Sequence, residues 1–129
     1  MSKLGVQNPI TAGQFIGAYN ASAVSNTNWH TLTSNEFYDA VTGSQITDGY
    51  KFAWVGIASS SSSTVSFLKL RAAASGSDGK TNTDGVIPLL GTYQVDAQAL
   101  NNGALVTSIA YAKGDASDSV IIYAGFNKV

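Results

Sequence analysis

The sequence predicts a single all-β domain, an antiparallel sandwich of about eight short strands with jelly-roll-like topology. Thr, Val, Ile, Tyr and Phe suit a pleated sheet and are plentiful, whereas Glu36 is the only glutamate. Apolar and polar residues alternate with a period of two in several segments, and 13 glycines provide turns between them. A chain of 129 residues fits one domain with one core. We place that domain at residues 14–129, after an extended N-terminal arm at residues 1–13.

The alternation predicts the strands in chain order. They are Gln14–Tyr19, Asn28–Thr33, Tyr50–Ala58, Thr64–Ala72, Val86–Leu90, Thr92–Ala97, Ala104–Lys113 and Ser119–Phe126. The third of these has apolar residues on both faces, with Phe52 and Trp54 on one face and Val55 and Ile57 on the other. Because both faces are apolar, we expect a central strand that is covered on two sides.

Turn and breaker residues define the connections. Pro88 cannot donate a ladder hydrogen bond, which confines its strand to a sheet edge or a bulge. Asn101-Asn102-Gly103 predicts a type I′ hairpin between Thr92–Ala97 and Ala104–Lys113, since Asn and Gly accept a positive φ. The only helical candidate is Ser34–Val41, with Ser34 or Asn35 as its cap. A loop fits that segment equally well.

Charge and cysteine content exclude several classes of function. The formal net charge is -1, and the seven basic residues are scattered, whereas a nucleic-acid binder clusters its Lys and Arg. The absence of Cys excludes disulfides and thiolate zinc sites. The first residues lack the apolar region of a signal peptide, and apolar runs fall short of a membrane span. We therefore expect synthesis in the cytoplasm, without nucleic-acid or membrane partners.

Groups for catalysis are scarce. His30 is the single histidine, and a catalytic triad needs a serine and an acid beside it. The loop Asp78–Gly85 superficially resembles a calcium loop, but Lys80 occupies a ligand position and the closing Glu is absent. We predict that the protein is not an enzyme and holds no cofactor or metal.

Four residues are candidate contacts for a partner or a glycan. Trp29 could stack on a sugar, although packing in the core is the usual role of an aromatic residue. Ser61 lies in a run of five serines, and Asp78 and Asn82 lie in the polar loop. Flexible loops and turn chemistry explain these three positions as well.

The chain resembles small structural proteins of tailed bacteriophages, namely capsid decoration (cement) proteins and head-fibre or tail-tip modules. The resemblance lies in the Ser-, Thr-, Ala-, Gly- and Asn-rich composition, the lack of Cys, the strand close to the end at Ser119–Val129, and the segment Gly85–Tyr93. It covers the whole chain but includes no specific motif, and no functional residue can be transferred. It implies a jelly-roll-like domain in a homo-oligomer, with a trimer guessed by analogy, attached to a larger shell.

The function expected from this resemblance is that of a non-enzymatic virion protein. Such a protein decorates and stabilises a capsid by packing against the major capsid protein, or another virion protein, and against neighbouring copies. The alternative is a carbohydrate- or receptor-binding module of a fibre, spike or lectin. Coat proteins of small RNA phages have a similar length, but they end in helices, whereas Ser119–Phe126 is a predicted strand.

Overall fold

The computed structural model describes residues 15–60, 65–71, 76–79, 85–90, 92–97, 101 and 103–128. These residues form nine strands and one 3₁₀ turn, which confirms the all-β prediction. The strands are β1 Phe15–Asn20, β2 His30–Leu32, β3 Tyr38–Asp39, β4 Tyr50–Ser59, β5 Val65–Lys69, β6 Ile87–Leu90, β7 Thr92–Asp96, β8 Ile109–Ala112 and β9 Val120–Lys128. The predicted N-terminal arm lies outside the described residues.

The strands form two antiparallel sheets. The five-stranded sheet has the order β3-β1-β9-β4-β7, and the four-stranded sheet has the order β2-β8-β5-β6. With β3 set aside, β1 pairs with β9, β2 with β8, β4 with β7, and β5 with β6. The first strand thus pairs with the last, the second with the second last, and so on inwards. This nested pairing of eight strands in two sheets is that of a jelly roll.

The core lies between the two sheets. In β9 the residues Val120, Ile122, Ala124 and Phe126 all point into it and are buried, as the alternation predicts. The adjacent strand β4 is buried along its centre on both sides. The predicted edge position is also confirmed, because β6, which contains Pro88, is the last strand of the four-stranded sheet.

The predicted faces of β4 are wrong at its start. Phe52 pairs with Phe126, but the next pair joins Trp54 to Gly125, so that Ala53 is an extra residue. This irregularity reverses the alternation. Phe52 therefore shares the core with Val55, whereas Trp54 lies on the opposite face.

The predicted hairpin at Asn101–Gly103 is also wrong. A turn does form, with Gly103 at φ +78° and the Ala104 N–H donating to the Asn101 carbonyl at 3.0 Å. However, β7 pairs with β4, and β8 belongs to the other sheet. The chain crosses between sheets here, and β8 begins only at Ile109. Before that point the Val106 carbonyl accepts a hydrogen bond from the Phe52 N–H at 2.8 Å, beside the start of β4.

The helical candidate Ser34–Val41 forms only a 3₁₀ turn at Ser34–Glu36, which follows Thr33 in the cap position. The Thr33 N–H donates to Glu36 Oε1 at 3.4 Å. Phe37 then turns into the core. Tyr38–Asp39 forms β3, the strand that the sequence did not predict, and pairs with β1. The burial of Phe37 and the pairing of Tyr38–Asp39 with β1 therefore end the 3₁₀ turn. In the described part of the chain, no helix has the length and apolar character needed to cross a lipid bilayer.

Candidate interaction surface

The outer face of the four-stranded sheet is covered by the chain itself. Trp29 lies there in a small second core with Ala110 and Ala112, and its side chain is 0% exposed. The Trp29 backbone N–H donates to the Ser77 carbonyl at 2.8 Å. The Lys69 ammonium lies 4.9 Å from the centre of the Trp29 ring, a cation–π contact.

Residues 76–79 cover this small core through close backbone contacts. Asp78 forms a bridge with Asn28 and accepts a hydrogen bond from Thr27 Oγ1 at 2.9 Å. The Gly79 N–H donates to the Thr27 carbonyl at 2.8 Å. A Cβ atom at Gly79 would lie only 2.2 Å from the Cβ of Ala112, so this approach requires glycine.

The structure brings two of the four predicted contact residues together, Trp29 and Asp78. Both hold the cover of the four-stranded sheet in place. Trp29 is fully buried, so its ring cannot stack on a sugar, and Trp54 is also buried. Ser61 and Asn82 lie outside the described residues.

The outer face of the five-stranded sheet has an apolar part, beside the exposed polar residues Asn20, Gln94 and Asp96. Its members follow from the pairing, because residues next to the core-facing positions of β1, β4 and β9 point outwards. Ala18 is opposite Tyr38 and Tyr123, and Gly56 is also opposite Tyr123. We call this surface the apolar face. It consists of Ile16, Ala18, Tyr38, Trp54, Gly56, Ala58, Ile121, Tyr123 and Gly125.

The apolar face is open at one side and closely packed in the middle. Ile16 is 44% exposed and Tyr38 is 53% exposed. The Tyr123 ring covers Gly56, where a Cβ would lie 2.2 Å from the ring. The Trp54 and Tyr123 rings meet edge to face, with their centres 5.7 Å apart. In the middle of the face the Trp54 ring is therefore buried against Tyr123, whereas Ile16 and Tyr38 form the exposed side.

Charge is found only at the margins of this face among the described residues. Lys51, the second residue of β4, is opposite Asn127. Asp96 of the edge strand β7 is opposite Trp54. One cation and one anion leave the face with no net charge. Such a surface offers nothing to an anionic polymer, but it can be buried against another protein.

Sequence reasoning did not find the apolar face as a site. The signal was present in part, because Ile121 and Tyr123 form a second apolar row in a strand whose other row is already core. Ile16 and Tyr38 could not be assigned to one surface from the sequence, because Tyr38 lay in a segment predicted as helix or loop. Their proximity depends on the pairing of β3 with β1.

His30 belongs to a partly exposed polar cluster at the β2 edge of the four-stranded sheet. Its ring stacks on Tyr111 with 5.3 Å between centres, and its Nε2 lies 2.9 Å from the amide oxygen of Asn26. Burial, and secondly the charge of Lys113, lower the pKa of His30 below 6.5. This contact orients the His30 ring.

Tyr111 and Lys113 continue this cluster along β8. Burial raises the pKa of Tyr111, as does its hydroxyl contact with Tyr19 at 3.4 Å. Lys113 is 0% exposed, and its ammonium donates to the carbonyls of Val24 at 2.7 Å, Ala116 at 3.0 Å and Ala21 at 3.4 Å. The lysine therefore fixes the chain after β1 to the end of β8.

The clefts do not assemble a reactive constellation from their described residues. One cleft has a volume of about 440 Å³, and its described lining residues are Leu70, Arg71, Gly85, Ile87 and Asn101. In the part of the chain that the structure describes, no group of three His, Asp or Glu side chains could hold a metal ion.

Comparison of the chain with protein-family models, curated proteins and solved structures found no match.

Proposed function

We propose that this chain is a non-enzymatic virion structural protein that decorates a capsid, packing against the shell and against neighbouring copies. The observation that carries the proposal is the difference between the two outer faces. One sheet is covered by residues 76–79 of the same chain, whereas the other exposes Ile16 and Tyr38 on an uncharged apolar surface.

The energetic argument follows from this surface. Exposed apolar area costs free energy in water, and its burial gains about 25 cal/mol for each Å². Contiguous apolar patches on soluble proteins commonly mark contacts with other proteins. The jelly roll supports the virion setting by analogy only, because capsid proteins, lectins and cupins all use it.

The test uses particles of the phage whose genome encodes the chain. Mass spectrometry should detect the chain in purified particles, and electron microscopy should show bare shells when the gene is deleted. Purified protein added to such shells should restore the missing density. Unchanged particles after deletion of the gene would refute the proposal.

A matched pair of variants tests which surface binds. Tyr38→Lys places a charge on the apolar face, and Val65→Lys places the same charge on the outer face of the four-stranded sheet. Val65 precedes the buried Ser66 in β5 and points away from the core. We expect Tyr38→Lys to lose binding to the shell and Val65→Lys to keep it, with thermal unfolding confirming that both variants fold.

The glycan-binding alternative predicts a different result. Its aromatic contacts cannot be Trp29 or Trp54, since both are buried. A saturable signal on a glycan array that Tyr38→Lys leaves unchanged would favour this alternative over decoration.

A further inference from the structure

We infer that Asp48 is a site of spontaneous backbone modification, at which water and time convert the aspartate to isoaspartate. The inference goes beyond the proposed function and does not depend on it. It is carried by the contrast between two Asp-Gly pairs, Asp48–Gly49 and Asp78–Gly79, which the fold places in opposite environments. The chain also contains Asp84–Gly85 and an Asn-Gly pair, Asn102–Gly103, whose first residues lie outside the described part of the structure.

The modification is a cyclisation followed by a hydrolysis. The backbone nitrogen of Gly49 attacks Cγ of the Asp48 carboxyl group. An N–Cγ bond replaces the Cγ–OH bond, and the hydroxyl leaves with the amide proton as water. Water then adds to a carbonyl group of the resulting succinimide ring. Addition at Cγ restores aspartate, whereas addition at the backbone carbonyl breaks its bond to nitrogen and leaves the main chain running through Cγ. The water released equals the water consumed, so that no other reactant is needed.

Asp48 and Gly49 are free to undergo this cyclisation. Both residues are exposed, and within the described part of the chain neither has a hydrogen-bond partner. Gly49 has no Cβ atom to hinder the attack, and nothing lies within 4 Å of the place that a Cβ would take. The Gly49 nitrogen can therefore approach the neighbouring carboxyl group without breaking a native contact.

The residues on either side of this pair are held in place. The Thr47 carbonyl accepts a hydrogen bond from the Ser34 hydroxyl at 2.8 Å, and Tyr50 begins β4 and pairs with Lys128. An isoaspartate lengthens the main chain by one carbon between these points, where both residues are exposed. The fold therefore neither prevents the cyclisation nor excludes its product.

Asp78 and Gly79 have the same chemistry but are restrained by the fold. The Asp78 carboxylate accepts a hydrogen bond from Thr27 Oγ1 at 2.9 Å, and the Gly79 N–H donates to the Thr27 carbonyl at 2.8 Å. Gly79 is buried, and a Cβ there would lie 2.2 Å from the Cβ of Ala112. The Gly79 nitrogen can attack only after both hydrogen bonds break and the backbone leaves this contact, so Asp78 reacts only from a locally opened state.

Incubation of the folded chain in heavy-oxygen water at mildly acidic pH tests the inference. Each hydrolysis of a succinimide adds one heavy oxygen, whichever carbonyl group the water attacks. Peptide mapping by mass spectrometry, with digestion in ordinary water, then assigns the label to a residue. We expect Asp48 to be labelled at least about tenfold faster than Asp78, since the opened state of Asp78 is only a small fraction of the molecules.

Two controls separate the effect of the fold from that of the sequence. In the chain denatured in guanidinium chloride, Asp48 and Asp78 should be labelled at similar rates, because both precede glycine. Asp48→Glu keeps the exposed charge but would have to close a larger and less readily formed ring, so that it should lose the label while its urea midpoint stays that of the unchanged chain. Equal labelling of Asp48 and Asp78 in the folded chain, or no labelling of Asp48 where the denatured chain is labelled, would overturn the inference.

Discussion

Two buried serines should respond in opposite directions to the same substitution. Ser66 and Ser34 are each 1% exposed. The Ser66 hydroxyl lies in β5 and has no hydrogen-bond partner, whereas the Ser34 hydroxyl donates to the Thr47 carbonyl at 2.8 Å. We expect Ser66→Ala to stabilise the fold and Ser34→Ala to destabilise it.

The magnitude for Ser66 follows from three opposing contributions. An unsatisfied buried hydroxyl costs about 1–3 kcal/mol. Its removal leaves a void of one oxygen atom and a residue less suited to a strand, which together cost a few tenths of a kcal/mol or slightly more. The net gain is about 1 kcal/mol, or about 3–4 °C in Tm for a chain of 129 residues. Ser34→Ala should lose about 1 kcal/mol with its hydrogen bond.

Urea denaturation followed by tryptophan fluorescence measures both changes, because Trp29 is fully buried in the folded state. All samples need the same protein concentration, since association adds to apparent stability. The slope of the free energy of unfolding against urea concentration should be the same in all variants, so that the midpoint alone reports the change in stability. If Ser66→Ala lowers the midpoint, as Ser34→Ala should, the assignment of Ser66 as an unsatisfied group is refuted.

Two further substitutions test the cover of the four-stranded sheet and the His30 cluster. Gly79→Ala should cost about 1–3 kcal/mol by steric overlap with Ala112, and adding Ala112→Gly should restore part of that loss in the same denaturation assay; a neutral Gly79→Ala would contradict the contact. Because the folded pKa of His30 is lowered, the unfolded chain binds its proton more readily, so this contribution to stability is complete above pH 6.5. It is lost as the pH falls towards the folded pKa. The free energy of unfolding should therefore fall more between about pH 7.5 and 5.5 in the unchanged chain than in His30→Gln, and equal pH dependence would contradict this reasoning.

Local patterns predicted the strands because a strand with one buried face has a period of two in its own sequence. The row Val120 to Phe126 is such a case, and its burial is confirmed. Pro88 indicated an edge strand for an equally local reason, the missing N–H. The class of fold therefore followed from properties that neighbouring residues encode together.

The errors occurred where distant segments decide the structure. The extra residue at Ala53 depends on the pairing of β4 with β9. The turn at Gly103 has the residue type of a hairpin, but the positions of β7 and β8 in different sheets make it a crossing between sheets. Trp29 is buried among residues distant in sequence, since it packs with Ala110 and Ala112 and its backbone N–H donates to the Ser77 carbonyl.

The apolar face shows the same limit of prediction from the sequence. Sequence alone correctly indicated that both faces of β4 avoid water, but it could not indicate what covers the second face. Antiparallel sheets that keep one face in solvent have polar residues at those positions, and this sheet has Ile121 and Tyr123 there. Charged residues are only 12% of the chain, about half the usual share, and the face combines these apolar residues with exposed Asn20, Gln94 and Asp96. The contact proposed for Ile16 and Tyr38 on this face is therefore the first property to measure.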